Sequence, residues 1–405
     1  MNTKFAHTIL HIDADAFFVS CEEASRPDLK NQAVVTGLER GVISALNYKA
    51  KACGLKRAMS VREAKRICPD LVFLAGDYRT YSLYSQRMNR IVRRFCDNLE
   101  EYSIDECFVD LSGFNNSENL AFEIKKTLDK ELGFNFSLGL APTKVLAKIA
   151  SNWQKPDGLT IIRKEEVSSY LRNLDLEKIW GIGFKTKARL NSLGIKTALD
   201  LAQKSYDFIK QLEKPYREIW HELRAEPVYL VNKQKKFNNY SISKTKTFKN
   251  SCDYNYIFSH LSQNLENACA KLRSQNLFCQ KVYFFLKSSD LKIYDYKFCL
   301  NLSTNNPLEI LKQIDKYLPL IFNSKLIYRA TGVVLFSLYK NTSFQPDLFG
   351  QSKKEQKISK LFKEMDKTSK RYGKATVFLS SSLKAKKDLK VEEKILNIPY
   401  LGKCY

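Results

Sequence analysis

The sequence predicts an α+β chain of more than one domain, and three observations carry that reading. The chain has 405 residues, 44% of them hydrophobic, which is more than one ordinary core needs. Apolar segments of period two alternate with segments of helical period through the first 165 residues, and strand-helix-strand patterns occur twice more between 241 and 342. The charge is also unevenly divided: residues 1–160 carry a net +2 and 161–230 a net +3, but 231–345 carry +11 and 346–405 carry +8. A polyanion such as nucleic acid is the expected partner of so basic a C-terminal half, with a lysine-rich solvated surface as the alternative.

Several classes are excluded at this level. No apolar run is long enough to span a bilayer, the longest being of the size of Val282 to Leu286. The start, MNTKFAHTILHIDADAFF, lacks the pattern of a secretion signal, so a cytoplasmic chain with no membrane partner is expected. Ten cysteines stand singly without a C-x-x-C pair, beside only four histidines, so they read as reduced, mostly buried thiols rather than zinc ligands.

Taken in order, residues 7–13 read as a strand with Phe17-Phe18 just beyond its end. Ala33 to Gly37 and Gly41 to Ala45 read as two short strands, and Asn47 to Leu55 as a helix closed by Gly54. A serine-capped helix runs from Ser60 to Ile67 and stops before Pro69. Thr80 to Leu99 has Tyr84, Met88, Ile91, Val92 and Phe95 at helical spacing, and Leu120, Ile124, Leu128 and Leu132 mark a second long helix. Phe134, Phe136, Leu138 and Leu140 alternate as in a strand, and Pro142 to Ala150 opens a helix with Lys144 and Lys148 on one face. These elements predict a mixed sheet with helices on one side and acidic residues on the other.

The acids are the sharpest feature. Ser103 to Leu111 reads SIDECFVDL, a strand that puts Ile104, Glu106 and Phe108 on one face and Ser103, Asp105, Cys107 and Val109 on the other. Neighbouring carboxylates in an apolar strand need water, a cation or raised pKa values, unless they are exposed at a strand end. Asp13, in His11-Ile12-Asp13-Ala14-Asp15, is positioned to join them if the two strands pair. Paired strands with acids at one height suit two-metal phosphoryl transfer.

Farther on, Gly181 and Gly183 in Ile179-Trp180-Gly181-Ile182-Gly183 precede a helix that ends at Gly194. Such a loop brings backbone N–H groups to a helix N-terminus where a DNA phosphate binds, although a lone Gly-x-Gly also serves as a plain turn. Residues 231–240 are polar and without period, a linker. Then come Ser241 to Phe248, Tyr256 to Leu277, Lys281 to Lys287, Tyr294 to Leu302, Pro307 to Ile321 and Tyr328 to Leu338 as strand, helix, strand, strand, helix, strand. Lys244, Lys246 and Lys249 on the first of these strands suit a row of phosphates, or else guard an edge strand.

The pieces HIDADAFFVSCEE, NYKAKACGLKRAM, SIDECFVDLSG, APTKVLAKIAS and KPDG, in this order and spacing, resemble a Y-family translesion DNA polymerase of the bacterial DNA polymerase IV type. The likeness covers about the first 340 residues and implies a right-hand-like arrangement. Its parts would be a palm in 1–165 with small fingers at about 20–77, a helical thumb with a helix-hairpin-helix in 166–230, the linker 231–240, a little finger in 241–342, and a clamp-binding motif with basic tail in 343–405. The resemblance implies Asp13, Asp105 and Glu106 as catalytic carboxylates that bind two Mg²⁺, with the Ala14 carbonyl as a further ligand, and Asp15 no more than a supporting residue. It implies Phe18 as the steric gate against ribonucleotides and Tyr48, Lys51 and Lys155 as contacts to the triphosphate. The substrates would be primer-template DNA and deoxynucleoside triphosphates, the synthesis error-prone and without proofreading, the enzyme a monomer.

Three residues depart from the family pattern. Ala45 and Lys51 stand where a threonine and an arginine are common, losing a hydroxyl donor and a bidentate fork. Trp180 stands where many relatives have proline. A DNA-binding factor with vestigial catalysis would accommodate Ala45 and Lys51, but all three carboxylates are retained. A nucleotide cyclase shares a palm-like metal site, but would leave the basic C-terminal half unexplained. Last, Gln345-Pro346-Asp347-Leu348-Phe349 resembles the bacterial peptide that docks in the replication sliding clamp, with Gln345, Leu348 and Phe349 as the contacts. A helix over Lys357 to Tyr372 is expected after it, either packed on the body or free for another partner.

Overall fold

The computed structural model describes residues 7–233, 241–340, 351–373 and 376–387, with side chains in the 351–373 segment from Ile358 onward. They form two units, one on each side of residues 234–240.

In the first unit, β1 (Ile9–Ala14) is buried at every position. Its alternation sends Leu10, Ile12 and Ala14 into one core and Ile9 into another, with His11 and Asp13 on the Ile9 side. The chain turns at Ala16, which has φ 48°, directly into α1 (Phe17–Ser25), so Phe17 and Phe18 open a helix that the sequence reading did not anticipate. A small subdomain follows: β2 (Val34–Thr36), β3 (Ala45–Leu46), α2 (Tyr48–Ala52), α3 (Val61–Ile67) and β4 (Val72–Leu74), with strand order β3-β2-β4. The Asn47 side chain caps α2 and Ser60 caps α3, as the sequence predicts for the second. The expected strand over Gly41 to Ala45 is displaced: residues 38–40 form a 3₁₀ turn, Val42 makes a single bridge to Ser60, and pairing with β2 begins at Ala45, opposite Thr36.

The main sheet is completed by α4 (Tyr78–Arg93), β5 (Leu99–Glu101), β6 (Glu106–Asp110), α5 (Ser117–Leu132), β7 (Phe136–Ala141), α6 (Lys144–Trp153) and β8 (Leu159–Ile161). Its strand order is β5-β6-β1-β7-β8, mixed because β7 and β8 run parallel. Helices α4 and α5 cover the Leu10–Ile12 face. Contrary to the one-sided layer expected, α6 covers the opposite face through Val145, Leu146 and Ile149, beside Ile9 and Phe108. The approach is close: a Cβ at Gly139 would lie 2.1 Å from the Ala147 carbonyl oxygen. Lys144 and Lys148, expected on one face of α6, are both turned to acids of the sheet, Glu100 on the edge strand β5 and Glu106 on β6.

Five helices follow, α7 (Val167–Leu171), α8 (Phe184–Ser192), α9 (Ala198–Ala202), α10 (Tyr206–Ile209) and α11 (Lys214–Leu223), and share the core of α6. The buried Glu222 ties them down. Its carboxylate accepts from Val145 N at 3.1 Å, Val228 N at 2.7 Å and Tyr229 N at 2.8 Å, so a buried charge is satisfied by backbone donors.

The second unit contains all six elements anticipated: β9 (Ser241–Ser251), α12 (Tyr254–Ser274), β10 (Leu277–Ser288), β11 (Ile293–Thr304), α13 (Pro307–Tyr317) and β12 (Tyr328–Lys340). The antiparallel sheet has the order β11-β10-β12-β9, and both helices pack on the face carrying Ile242, Phe284 and Val333. Beyond it, α15 (Leu383–Lys387) lies on α12, and α14 (Gln351–Tyr372) is joined to α12 through Arg273. The helix expected over 357–372 therefore packs on this unit: Arg273 donates to Asp366 at 2.7 and 2.9 Å, and its guanidinium sits 5.0 Å from the buried Phe362 ring.

Candidate active site

Antiparallel pairing of β1 with β6 sets Asp13 directly opposite Glu106. Both are on the α6 side of the sheet, so two carboxylates share one height on adjacent strands. The strand expected over SIDECFVDL starts three residues later than Ser103. β6 begins at Glu106, and residues 102–105 form the tight connection from β5, with Tyr102 N and Ser103 N both donating to the Glu106 carbonyl. Asp105 thus precedes the strand. Its carbonyl accepts the Ala14 N–H at 3.0 Å, and its carboxylate accepts the Ser103 hydroxyl at 2.6 Å. Short polar residues form turns by such local bonds, which is why the alternation stops here.

Each carboxylate of the facing pair has its own ammonium. Lys155 Nζ is 2.7 Å from Asp13 Oδ1, and Lys148 Nζ is 2.7 Å from Glu106 Oε2. The two acids nevertheless titrate in opposite directions. Burial pushes the Asp13 carboxyl up to about 7, with Lys155 opposing and Glu106 adding to the rise. Burial also works against ionising Glu106, but the Lys148 ammonium at 2.7 Å favours the charged form, and that carboxyl is held below the usual range. His11 itself is lowered to about 4 by burial and is neutral at neutral pH. The Ser151 hydroxyl donates to the Lys148 carbonyl and lies 2.7 Å from His11 Nδ1, so it accepts from Nδ1–H. That assignment leaves the buried Nε2 bare, 3.9 Å from Glu106, too far for a hydrogen bond.

Cations and rings line the other side. Phe18, the second residue of α1, is stacked on Tyr81 at 4.6 Å and meets the edge of Tyr78 at 5.4 Å. Tyr48 begins α2 beneath the Lys51 ammonium, 4.0 Å from the ring centroid. The Lys51 pKa is lowered, by burial first and then by the charges of Arg57 and Lys155, so three cations converge there. Arg57 was missed in the sequence, since a single arginine in a loop carries no pattern. Missed as well was the reach of Asp15, which is 4% exposed and bonded to three separate segments.

Gly181 has φ 92°, a conformation that favours glycine, and Gly183 is the extended residue before α8. Lys244 and Lys246 lie in the second unit on β9, where alternation puts them on the side of Ile242, the helix-covered side. The opposite face of that sheet carries Lys281, Tyr283, Phe285 and Lys287 on β10 with Lys297 and Phe336 across from them. Lys297 sits 4.8 Å from the Phe336 ring. The motif residues Gln345, Leu348 and Phe349 lie outside the described residues.

Known proteins agree with this architecture. The impB/mucB/samB family matches residues 12–152, its helix-hairpin-helix motif 164–195, and its C-terminal domain 239–348. A DNA polymerase IV of Listeria monocytogenes serotype 4a is 31% identical over 314 residues, spanning 75% of this chain and 87% of its own. The chain belongs to the Y-family DNA polymerases. A DNA polymerase IV of Streptococcus pyogenes serotype M5 is 39% identical over 203 residues, 48% of this chain and 56% of its own. Among solved structures, a Y-family polymerase chimera of Dbh and Dpo4 superposes with TM-score 0.72 at 25% identity, covering 82% of this chain and all of that one. An insertion ternary complex of Dbh DNA polymerase superposes at 0.56, also at 25% identity, covering 81% of this chain and 98% of that one.

The protein is accordingly a DNA-directed translesion DNA polymerase with the family's mixed helix-and-sheet architecture. Y-family polymerases use divalent cations. The donor set here suits a hard cation, because the facing groups are the carboxylates of Asp13 and Glu106. Among the described residues no three Asp, Glu, His or Cys side chains close on one point. The Asp105 carboxylate is turned to Ser103, and Lys148 and Lys155 supply the positive charge that Asp13 and Glu106 require. No described helix is long and apolar enough to cross a membrane.

Proposed function

We propose that this polymerase joins deoxynucleotides to a primer 3′ end at Asp13, Asp105 and Glu106, using two Mg²⁺ and without proofreading. The observation that carries the reading is the Asp13–Glu106 pair, in register across β1 and β6 with Lys155 at Asp13 and Lys148 at Glu106. Asp13, Asp105, Glu106 and the Ala14 carbonyl would hold the two cations. When bound, they supply Lewis acidity that favours the ionised 3′-hydroxyl and offsets the charge leaving with pyrophosphate. The chain's own residues perform the rest. Lys51, Lys155 and Arg57 bind the anionic triphosphate, Tyr48 borders it, and the Phe18 ring fills the space a ribose 2′-hydroxyl would need.

The division into palm and fingers (1–165), thumb (166–230), linker (231–240), little finger (241–342) and clamp-binding tail (343–405) belongs to the same reading, supported by the two units and the family matches. DNA would be gripped by the Gly181–Gly183 loop and by the second unit. There the candidates are Lys244 and Lys246 of β9, of which Lys246 is exposed, and the lysine-and-aromatic face of β10 to β12. Gln345, Leu348 and Phe349 would dock in the sliding clamp, making each rebinding intramolecular. The test is primer extension by the pure chain, with and without template. Template-dependent synthesis that leaves a mismatched 3′ terminus uncut supports the proposal. Untemplated products, or removal of the mismatch, would oppose it.

A further inference from the structure

The best-connected buried acid of the site is Asp15, which is not one of the cation-binding residues proposed above. It lies two residues past Asp13, beyond the end of β1, and its backbone N–H donates to the Asn135 carbonyl at 3.1 Å. One carboxylate oxygen accepts both the Ser137 hydroxyl and the Asp157 backbone N–H, each at 2.8 Å. The other accepts the Tyr48 hydroxyl at 3.4 Å. A carboxylate is rarely so buried without a cation beside it, and here its partners are uncharged donors from three distant segments.

Two of those segments carry the groups assigned to the triphosphate. Asp157 belongs to the turn Lys155-Pro156-Asp157-Gly158, whose first residue extends its ammonium to Asp13. The turn has a second tether, since the Asp157 carboxylate forms an ion pair with Lys125 of α5. Tyr48 opens α2 in the small subdomain, and its hydroxyl is kept protonated, and so a donor, by burial and by Asp15. Asp15 therefore sets the distance between the small subdomain and the lysine turn.

We infer that Asp15 is a positioning residue for nucleotide binding: it holds Tyr48 and the Lys155 turn in one fixed relation, so that both meet the same triphosphate. The inference rests on the proposed nucleotide-binding roles of those two residues. Asparagine at position 15 has one acceptor oxygen for three donors, and its amide group must face one of them. A hydroxyl can rotate away from that conflict. The Asp157 N–H cannot, so the amide turns toward Tyr48 and reverses the sense of that contact.

The experiment is single-nucleotide insertion by the full chain on a primer-template, with all four dNTPs in turn, for wild type, Asp15→Asn, Tyr48→Phe and the double variant. Losing an oriented hydrogen bond to a charged group predicts about a tenfold rise in dNTP KM for Asp15→Asn. That rise should be similar for every base, with primer-template affinity unchanged and kcat less affected. Tyr48→Phe should raise KM too, and the double variant should be little worse than Asp15→Asn, because both remove the same contact. An unchanged dNTP KM in Asp15→Asn, or two effects that simply add, would overturn the inference while leaving wild-type polymerase activity intact. If Asp15→Asn does not fold, an unchanged KM in Tyr48→Phe overturns it. A wild type that extends no primer would overturn the underlying reading and this inference together.

Discussion

Asp13 and Glu106 oppose each other across two adjacent strands, each bound by its own lysine, and titrate in opposite directions. A raised carboxyl costs stability wherever the unfolded chain has already lost its proton and the folded one must follow. For Asp13 that cost is absent below about pH 4, grows as the pH rises to about 7, and is constant above it. Without divalent cation, Asp13→Asn should gain stability relative to wild type through this window, by at most about 1.4 kcal/mol per pH unit. Mg²⁺ should stabilise wild type more at pH 8 than at pH 6, because it competes with a proton, and should do less for the variant. Thermal melts across pH check both. A stability difference that is flat with pH would show that Asp13 ionises normally.

Trp180 has a defined place. Its indole N–H donates to the Tyr102 hydroxyl at 2.9 Å, and its ring contacts Tyr102, Phe108 and Tyr229. Trp180→Ala should cost about 2–4 kcal/mol of stability and Trp180→Phe only about 1 kcal/mol, since the second keeps packing and loses one hydrogen bond. Denaturant melts that put the two variants level would assign the indole no packing role.

The Phe18 ring is held by Tyr81 and Tyr78, so it cannot easily swing aside. Phe18→Ala should lower discrimination against ribonucleotides by at least about tenfold, equivalent to 1.4 kcal/mol. The ratio of kcat/KM for dNTP and rNTP measures it. Unchanged selectivity would place the gate elsewhere.

In the second unit, Arg273 is only 6% exposed and fixes α14 through Asp366. Arg273→Ala should destabilise this unit by about 1–3 kcal/mol, because it leaves Asp366 unpaired and uncovers Phe362. Asp366→Asn, which keeps one acceptor, should cost less. Equal melting of wild type and Arg273→Ala would mean that α14 adds nothing to the fold.

Periodic segments were the legible part of the sequence. Helices α4, α5 and α12 and the strands of the second unit declare themselves because an apolar face at fixed spacing has one satisfactory burial. The pairing of Asp13 with a β6 acid also followed from the pattern, but its partner at the same height is Glu106, with Asp105 in the turn. That difference arises from local bonds of Ser103 that compete with the ladder. Other features were hidden because they depend on distant segments. The close seat of α6 depends on Gly139, the burial of Glu222 on three backbone donors, and the reach of Asp15 on segments 33 and 142 residues away.

We propose that templated synthesis occurs at the carboxylates around Asp13. Its most direct measurement is single-nucleotide primer extension by the full chain with and without Mg²⁺, comparing wild type with Asp105→Ala after both are shown to melt alike. Wild type should insert the template-matched nucleotide only with the cation present, and the variant should not insert it. Insertion by Asp105→Ala at the wild-type rate would contradict it.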